Sequence, residues 1–173
     1  MKTIVCWFLA ISITPWVPAK DDGRASQEDD IRETVFRNLL TKNPFTLRGE
    51  VFEDYLALGF RKRTENVDQS DLFNGLLIDP SDAFMRRFLD LKTTVHKASS
   101  CRERSKGGGV RDKQTGRPGL LLVLTKIMWV SNTEAEVEAE YHRGPLAAEG
   151  FTYWVKREND GWRVAGSVRR WIS

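Results

Sequence analysis

From residue 119 to its end the chain is a succession of strand patterns, and this constrains the fold more than anything before it. Residues 120–130 are almost continuously apolar, the mark of a strand buried on both faces. Residues 135–142 alternate strictly between apolar and polar, and residues 151–158 and 162–172 do so less strictly. Asn159-Asp160-Gly161 is a tight-turn signal between the last two. With Asp160-Gly161 as a two-residue loop, Glu158 falls opposite Arg163 and Tyr153 opposite Val168. One face then carries Val137, Ala139, Tyr141, Phe151, Tyr153, Val155, Trp162, Val164 and Val168. The other carries Glu134, Glu136, Glu138, Glu140, His142, Trp154, Lys156, Arg163, Arg169 and Trp171. The expectation is a four-strand antiparallel meander whose apolar face needs a cover.

Two upstream segments supply that cover. Ile31, Val35 and Leu39, flanked by Phe36 and Leu40, recur at helical spacing after a Ser26/Asp29 capping box, and Asn43-Pro44 stops the run. Asp79-Pro80-Ser81-Asp82 opens a second helix with Phe84, Phe88, Leu91 and Leu89 on its apolar stripe. Residues 51–60 and 72–78 read as short strands and residues 61–70 as a charged loop. Residues 102–118, with Gly107-Gly108-Gly109 among basic side chains, read as a flexible basic loop. The fold class is therefore α+β: one domain over residues 28–173, a curved antiparallel sheet with a C-terminal four-strand meander, packed on one face by N-terminal helices.

Residues 1–19 have the layout of a cleavable signal peptide. Lys2 precedes an apolar core over residues 4–13, Pro15 and Pro18 interrupt it, and Val17-Pro18-Ala19 is a small-residue cleavage site. A polar lead-in follows at residues 20–27. The apolar run is shorter than the roughly 20 residues of a spanning helix, so no stable membrane span is expected after cleavage. The mature chain is expected in the periplasm or outside the cell. Cleavage removes Cys6 and leaves Cys101 alone, as a buried thiol, an intermolecular bridge or a reactive thiol. Burial is the preferred reading, since free cysteine packs as a small hydrophobe. The formal charge of +3, one less without Lys2, argues neither for nor against nucleic acid, but binders usually show a much stronger basic bias, so none is expected as a partner.

The order helix, short strands, helix, four-strand meander is similar to the nuclear-transport-factor-2-like (cystatin-like α+β) superfamily, as is the ending Gly161-Trp162-Arg163-Val164 through Trp171-Ile172-Ser173. Asp79-Pro80-Ser81, Ala98-Ser99-Ser100-Cys101 and residues 129–173 also resemble exported bacterial proteins of unassigned activity. The resemblance implies a sheet closed by helices into a cone. It does not imply one activity, because the superfamily holds isomerases, dehydratases, binding domains and adaptors without a shared catalytic signature. Residues 102–118 are a departure from its pattern. A protease-inhibiting cystatin is excluded, because its QxVxG hairpin is missing.

An enzyme of this kind needs an acid or base inside the cone. The deduced inner face offers Tyr141 and Tyr153 but no carboxylate or histidine. Asp54, with Glu53 and Tyr55 beside it, is the remaining candidate if the first strand enters the cone mouth. No Cys or His pair has metal-ligand spacing, and the alternating glutamates suit a solvated face better than a calcium site, so no metal or other cofactor is expected. Gly107-Gly108-Gly109 lacks the phosphate-loop pattern. Trp154 and Trp171, on the face away from the helices, suggest an interface with a second copy; the alternative is that their rings lie flat against the Arg163, Arg169 and Lys156 stems. The preferred reading is a non-catalytic binding or assembly module that forms a homodimer through the sheet face, with a hydrophobic small ligand as its other partner. The alternative is an isomerase- or dehydratase-like enzyme using Asp54, Tyr55, Tyr141 or Tyr153.

Overall fold

The computed structural model of this chain describes residues 23–42, 52–60, 76–104, 108–144 and 146–173. The signal-peptide reading, the loop at 61–70 and most of the strand at 72–78 lie outside them. Helix α1 spans Arg24–Lys42 and strand β1 Glu53–Ala57. Helix α2, Asp82–Met85, continues as a 3-10 turn, Arg86–Phe88. Strands β2 (Val95–Lys97), β3 (Cys101–Arg104) and β4 (Gly109–Asp112) follow. The long strands are β5 (Gly119–Trp129), β6 (Glu134–Gly144), β7 (Ala147–Glu158) and β8 (Gly161–Ile172). Among the described residues no helix is long and apolar enough to cross a membrane.

The fold is α+β. Six strands form one sheet in the order β2-β1-β5-β6-β7-β8, and β3 and β4 pair as a separate ribbon. The meander β5–β8 is antiparallel as expected. The sheet as a whole is mixed, however, because β1 runs parallel to both β2 and β5. A parallel neighbour requires a long crossover, and the chain between β1 and β5 contains α2, β2 and the ribbon. Residues 102–118 differ likewise from the loop reading. Arg102 pairs with Arg111 across the ribbon, and Asp112 closes the turn beyond it by accepting from the amides of Gln114 and Thr115.

α1 begins ahead of Ser26, after Gly23 at φ +74°, so the expected capping box lies inside the helix. Ion pairs one turn apart, Arg32–Glu28 and Arg37–Glu33, line its outer side. In α2, Ser81 is the cap and Pro80 precedes it: the Ser81 hydroxyl accepts from the Phe84 amide at 3.1 Å. Leu89 is 81% exposed, outside the stripe assigned to it, because the short helix tightens into the 3-10 turn. Arg37 joins Asp90 and Arg87 joins Asp30 and Glu33 across the two helices. Their guanidiniums also cover the Phe88 and Phe84 rings.

Two cores sit on opposite faces of β1 and β5. On the inner face Ile31, Val35 and Phe36 of α1, with Phe84 and Phe88, pack on Leu56, Leu120, Leu122, Val137, Tyr153 and Val155. On the outer face Ala98, Cys101 and Val110 close over Tyr55, Ala57, Leu121 and Val123. The double burial expected for β5 holds over residues 119–124, all buried.

The last hairpin departs from the deduced register. Its loop is Asn159-Asp160, with Glu158 opposite Gly161 and Lys156 opposite Arg163. Bulges between Trp154 and Val155 and between Gly150 and Phe151 then shift the pairing, so Tyr153 faces Ser167 and Thr152 faces Val168. Each bulge reverses which side of β8 is turned inward. Arg169 therefore lies on the inner face opposite Phe151, and Val168 on the outer face, 39% exposed. The other deduced face assignments stand.

Two substitutions probe this packing. Phe36→Ala should cost about 3–5 kcal/mol of unfolding free energy and Leu89→Ala less than about 0.5 kcal/mol. Urea denaturation of both variants checks the pair, and equal losses would contradict the assignment of the core.

Candidate functional site

Two tryptophans lie on the outer face of β6, β7 and β8. Trp171 rests directly on Gly150, where a Cβ would fall 2.1 Å from the indole Nε1. Trp154 covers Gly166 at 3.4 Å. Each glycine is the cross-strand partner of the ring above it. Both rings are 40% exposed. The Trp154 indole donates to Glu136 at 3.3 Å, and Trp171 lies 6.4 Å from the His142 ring, which is bonded to Glu140 at 2.9 Å. Lys156 pairs with Glu134 at 2.8 Å. A small cavity of about 220 Å³ opens between Glu138, Glu140, Arg170 and Trp171. The face is thus acidic along β6, flat and aromatic along β7–β8, and basic at Arg170, while Arg163 is paired with Glu158.

The inner face differs from the expectation that it holds no carboxylate. β7 begins at Ala147 rather than near Phe151, and this places Glu149 opposite Tyr141 on that face. The Tyr141 hydroxyl donates to Glu149, and Arg169 lies 3.5 Å from the same carboxylate. Burial, aided by that bond, raises the Tyr141 phenol above its ordinary value. Burial pushes Tyr153 up to about 12. Phenols this reluctant to ionise are poorly matched to proton transfer at neutral pH.

Strand parity separates Asp54 from its neighbours. Asp54 shares the inner side with Leu56, whereas Tyr55 belongs to the outer core. Tyr55 therefore does not face the helix-covered side; its hydroxyl donates to Asp112 at 2.8 Å, and burial followed by that bond raises its pKa. The Asp112 carboxylate is held at about 2, chiefly by the Thr115 amide and then by Tyr55. Asp54 is 8% exposed. Burial, with the Glu53 charge adding and His96 opposing, pushes its carboxyl up to about 6.

A second polar cluster escaped the sequence reading. The parallel pairing of β1 with β2 brings His96 to Glu53 at 3.2 Å and stacks its ring 5.5 Å from Tyr55. Glu53 also meets Arg117 at 3.3 Å. Glu53 and His96 edge a cavity of about 520 Å³ with Ser99, Asp112 and Lys113. Glu53 and His96 lie 43 positions apart, so no local spacing could have announced them. Glu53 can orient the imidazole, but no described hydroxyl or thiol is hydrogen-bonded to it as a nucleophile would be.

Cys101 is buried, and its thiol donates to the Ala98 carbonyl at 3.2 Å. The bland reading of this residue is the one its position supports. Among the described residues no group of three or more His, Cys, Asp or Glu converges as a metal site would. Comparison with protein families, with curated proteins and with solved structures found no match to this chain.

Asp54 generates a pH prediction. Its folded pKa of about 6 exceeds the ordinary 3.8, so the folded chain binds the extra proton between these values. Stability therefore falls as pH rises from about 4 to 6, by roughly 2–3 kcal/mol in total. Asp54→Asn should remove that part of the decline in urea denaturation across this range. An unchanged pH dependence in the variant would contradict it.

Proposed function

We propose that this chain is an exported, non-catalytic assembly module that forms a homodimer through the outer face of β6–β8. The observation that carries the reading is the pair of half-exposed tryptophans seated flat on Gly150 and Gly166. Rings so placed keep a large apolar area at a level surface, the composition that marks protein interfaces. Charge supports a second copy as the occupant. A two-fold axis passing near β7 sets the glutamates of β6 in one copy over Arg170 of β8 in the other, and a two-fold interface must be self-complementary in this way. The signal-peptide pattern at residues 1–19 supports export. The resemblance to the nuclear-transport-factor-2-like superfamily supports a curved sheet closed into a cone.

Light scattering of the mature protein tests the assembly. The expected mass is twice that of one chain at high micromolar concentration, and added salt should weaken the association. Trp154→Glu and Trp171→Glu should each raise the dissociation constant by at least about tenfold, a loss on the scale of one hot-spot contact. A strict monomer at high micromolar concentration would sink the proposal.

One observation favours a second reading, an enzyme of the isomerase or dehydratase kind: the buried Asp54 carboxyl with its pKa near 6. Crystals of protein purified from its own host separate the two. A retained small molecule against Asp54 favours the enzyme, and side chains packed around Asp54 favour the module.

A further inference from the structure

We propose that the cavity between the β3–β4 ribbon and the connection from β6 to β7 binds a small amphipathic anion, a carboxylate carried on an apolar body. At about 670 Å³ it is the largest of the cavities described here. That is the size range of small-molecule sites. Phe52, Val110, Pro118 and Leu146 supply apolar lining, and Arg111 and Arg143 are its charged residues. Among the described residues no carboxylate lines it. A fixed cation, Arg111, beside apolar walls selects a ligand of the opposite charge that also has an apolar part.

Both arginines are held in place. Arg111 donates from Nε to the Gly108 carbonyl and from Nη1 to the Gly116 carbonyl, each at 3.0 Å. These acceptors are neutral, so they orient the guanidinium and leave its charge in place, and Arg111 makes no ion pair among the described residues. Fixing it beforehand reduces the side-chain entropy lost on binding. The Arg143 guanidinium sits 4.9 Å over the Phe52 ring, next to the register shift between His142 and Gly144. Bulges commonly re-aim a side chain in this way.

Part of the wall is bare backbone by necessity. A Cβ on Gly109, whose φ is +63°, would lie 2.7 Å from the Arg143 carbonyl oxygen, and one on Gly144 would lie 3.2 Å from the Gly109 Cα. At the rim, Leu146 is 87% exposed. A ligand's apolar body covering it would remove that surface from water. This site lies apart from the dimer face proposed above, so either proposal can fail alone.

Calorimetry at neutral pH with decanoate, 1-decanol and acetate as probes tests the assignment, with amide NMR shifts to locate the binding. Decanoate should bind at least about tenfold more tightly than either control, the scale of one charge-assisted hydrogen bond. Its largest shifts should fall on Gly108, Gly109 and Gly144. Arg111→Gln should weaken decanoate by about tenfold. Leu146→Asp, at an exposed position that leaves the fold intact, should weaken it as well. The proposal is overturned if decanol binds as tightly as decanoate, or if both variants bind like the parent. Shifts centred on Trp154 and Trp171, or no decanoate binding at about 1 mM, a limit near −4 kcal/mol, would overturn it too.

Discussion

β5 has no face left for water along its first half, and the two halves of the chain meet there. Leu120, Leu122 and Leu124 complete the core under α1, while Leu121 and Val123 complete the core under the ribbon. The same strand pairs in parallel with β1 and antiparallel with β6, so it joins the crossover half of the sheet to the meander. Burying both sides of five successive residues removes far more apolar surface than either layer could alone. It also requires the ribbon to approach closely. Gly119 permits this, since a Cβ there would lie 3.1 Å from the Val110 side chain of the ribbon.

β6–β8 obey a different constraint. α1 covers their inner face, whereas the described ribbon closes over β1 and β5. On the outer face of the meander Glu134 and Lys156 neutralise each other, and the two indoles lie on glycines instead of projecting. The bulges that break the β7–β8 pairing shape this surface, for they turn Val168 outward beside the rings and Arg169 inward toward Glu149. β8 is also an edge of the sheet. Bulges and arginines along an edge oppose further strand pairing.

Polar chemistry is distributed by strand parity. Glu53, Asp54 and Tyr55 are consecutive, yet Asp54 enters the helix-covered side while Tyr55 turns to the ribbon side. Their energetic situations differ accordingly. Asp112 is bonded by two amides and two hydroxyls and stays strongly acidic. Asp54 has burial without such donors and is pushed the other way. A carboxyl left in that state is costly to the fold at neutral pH, and it is what keeps the catalytic alternative in play.

The composition class, the four-strand meander, α1 with its buried Ile31, Val35 and Phe36, and most of the inner and outer faces were determined by residue periodicity alone. Periodicity records which side of a strand meets the core, and this is a local property. Trp154 and Trp171 could be assigned to the outer face for the same reason. The parallel placement of β1, the ribbon within residues 101–112, the inward Glu149 and Arg169 and the meeting of Glu53 with His96 were decided only by the tertiary structure. Parallel pairing leaves no turn motif between its strands, since the crossover that joins them is long. A bulge changes parity without changing composition, so Arg169 and Val168 exchanged sides with nothing in the alternation of β8 to announce it.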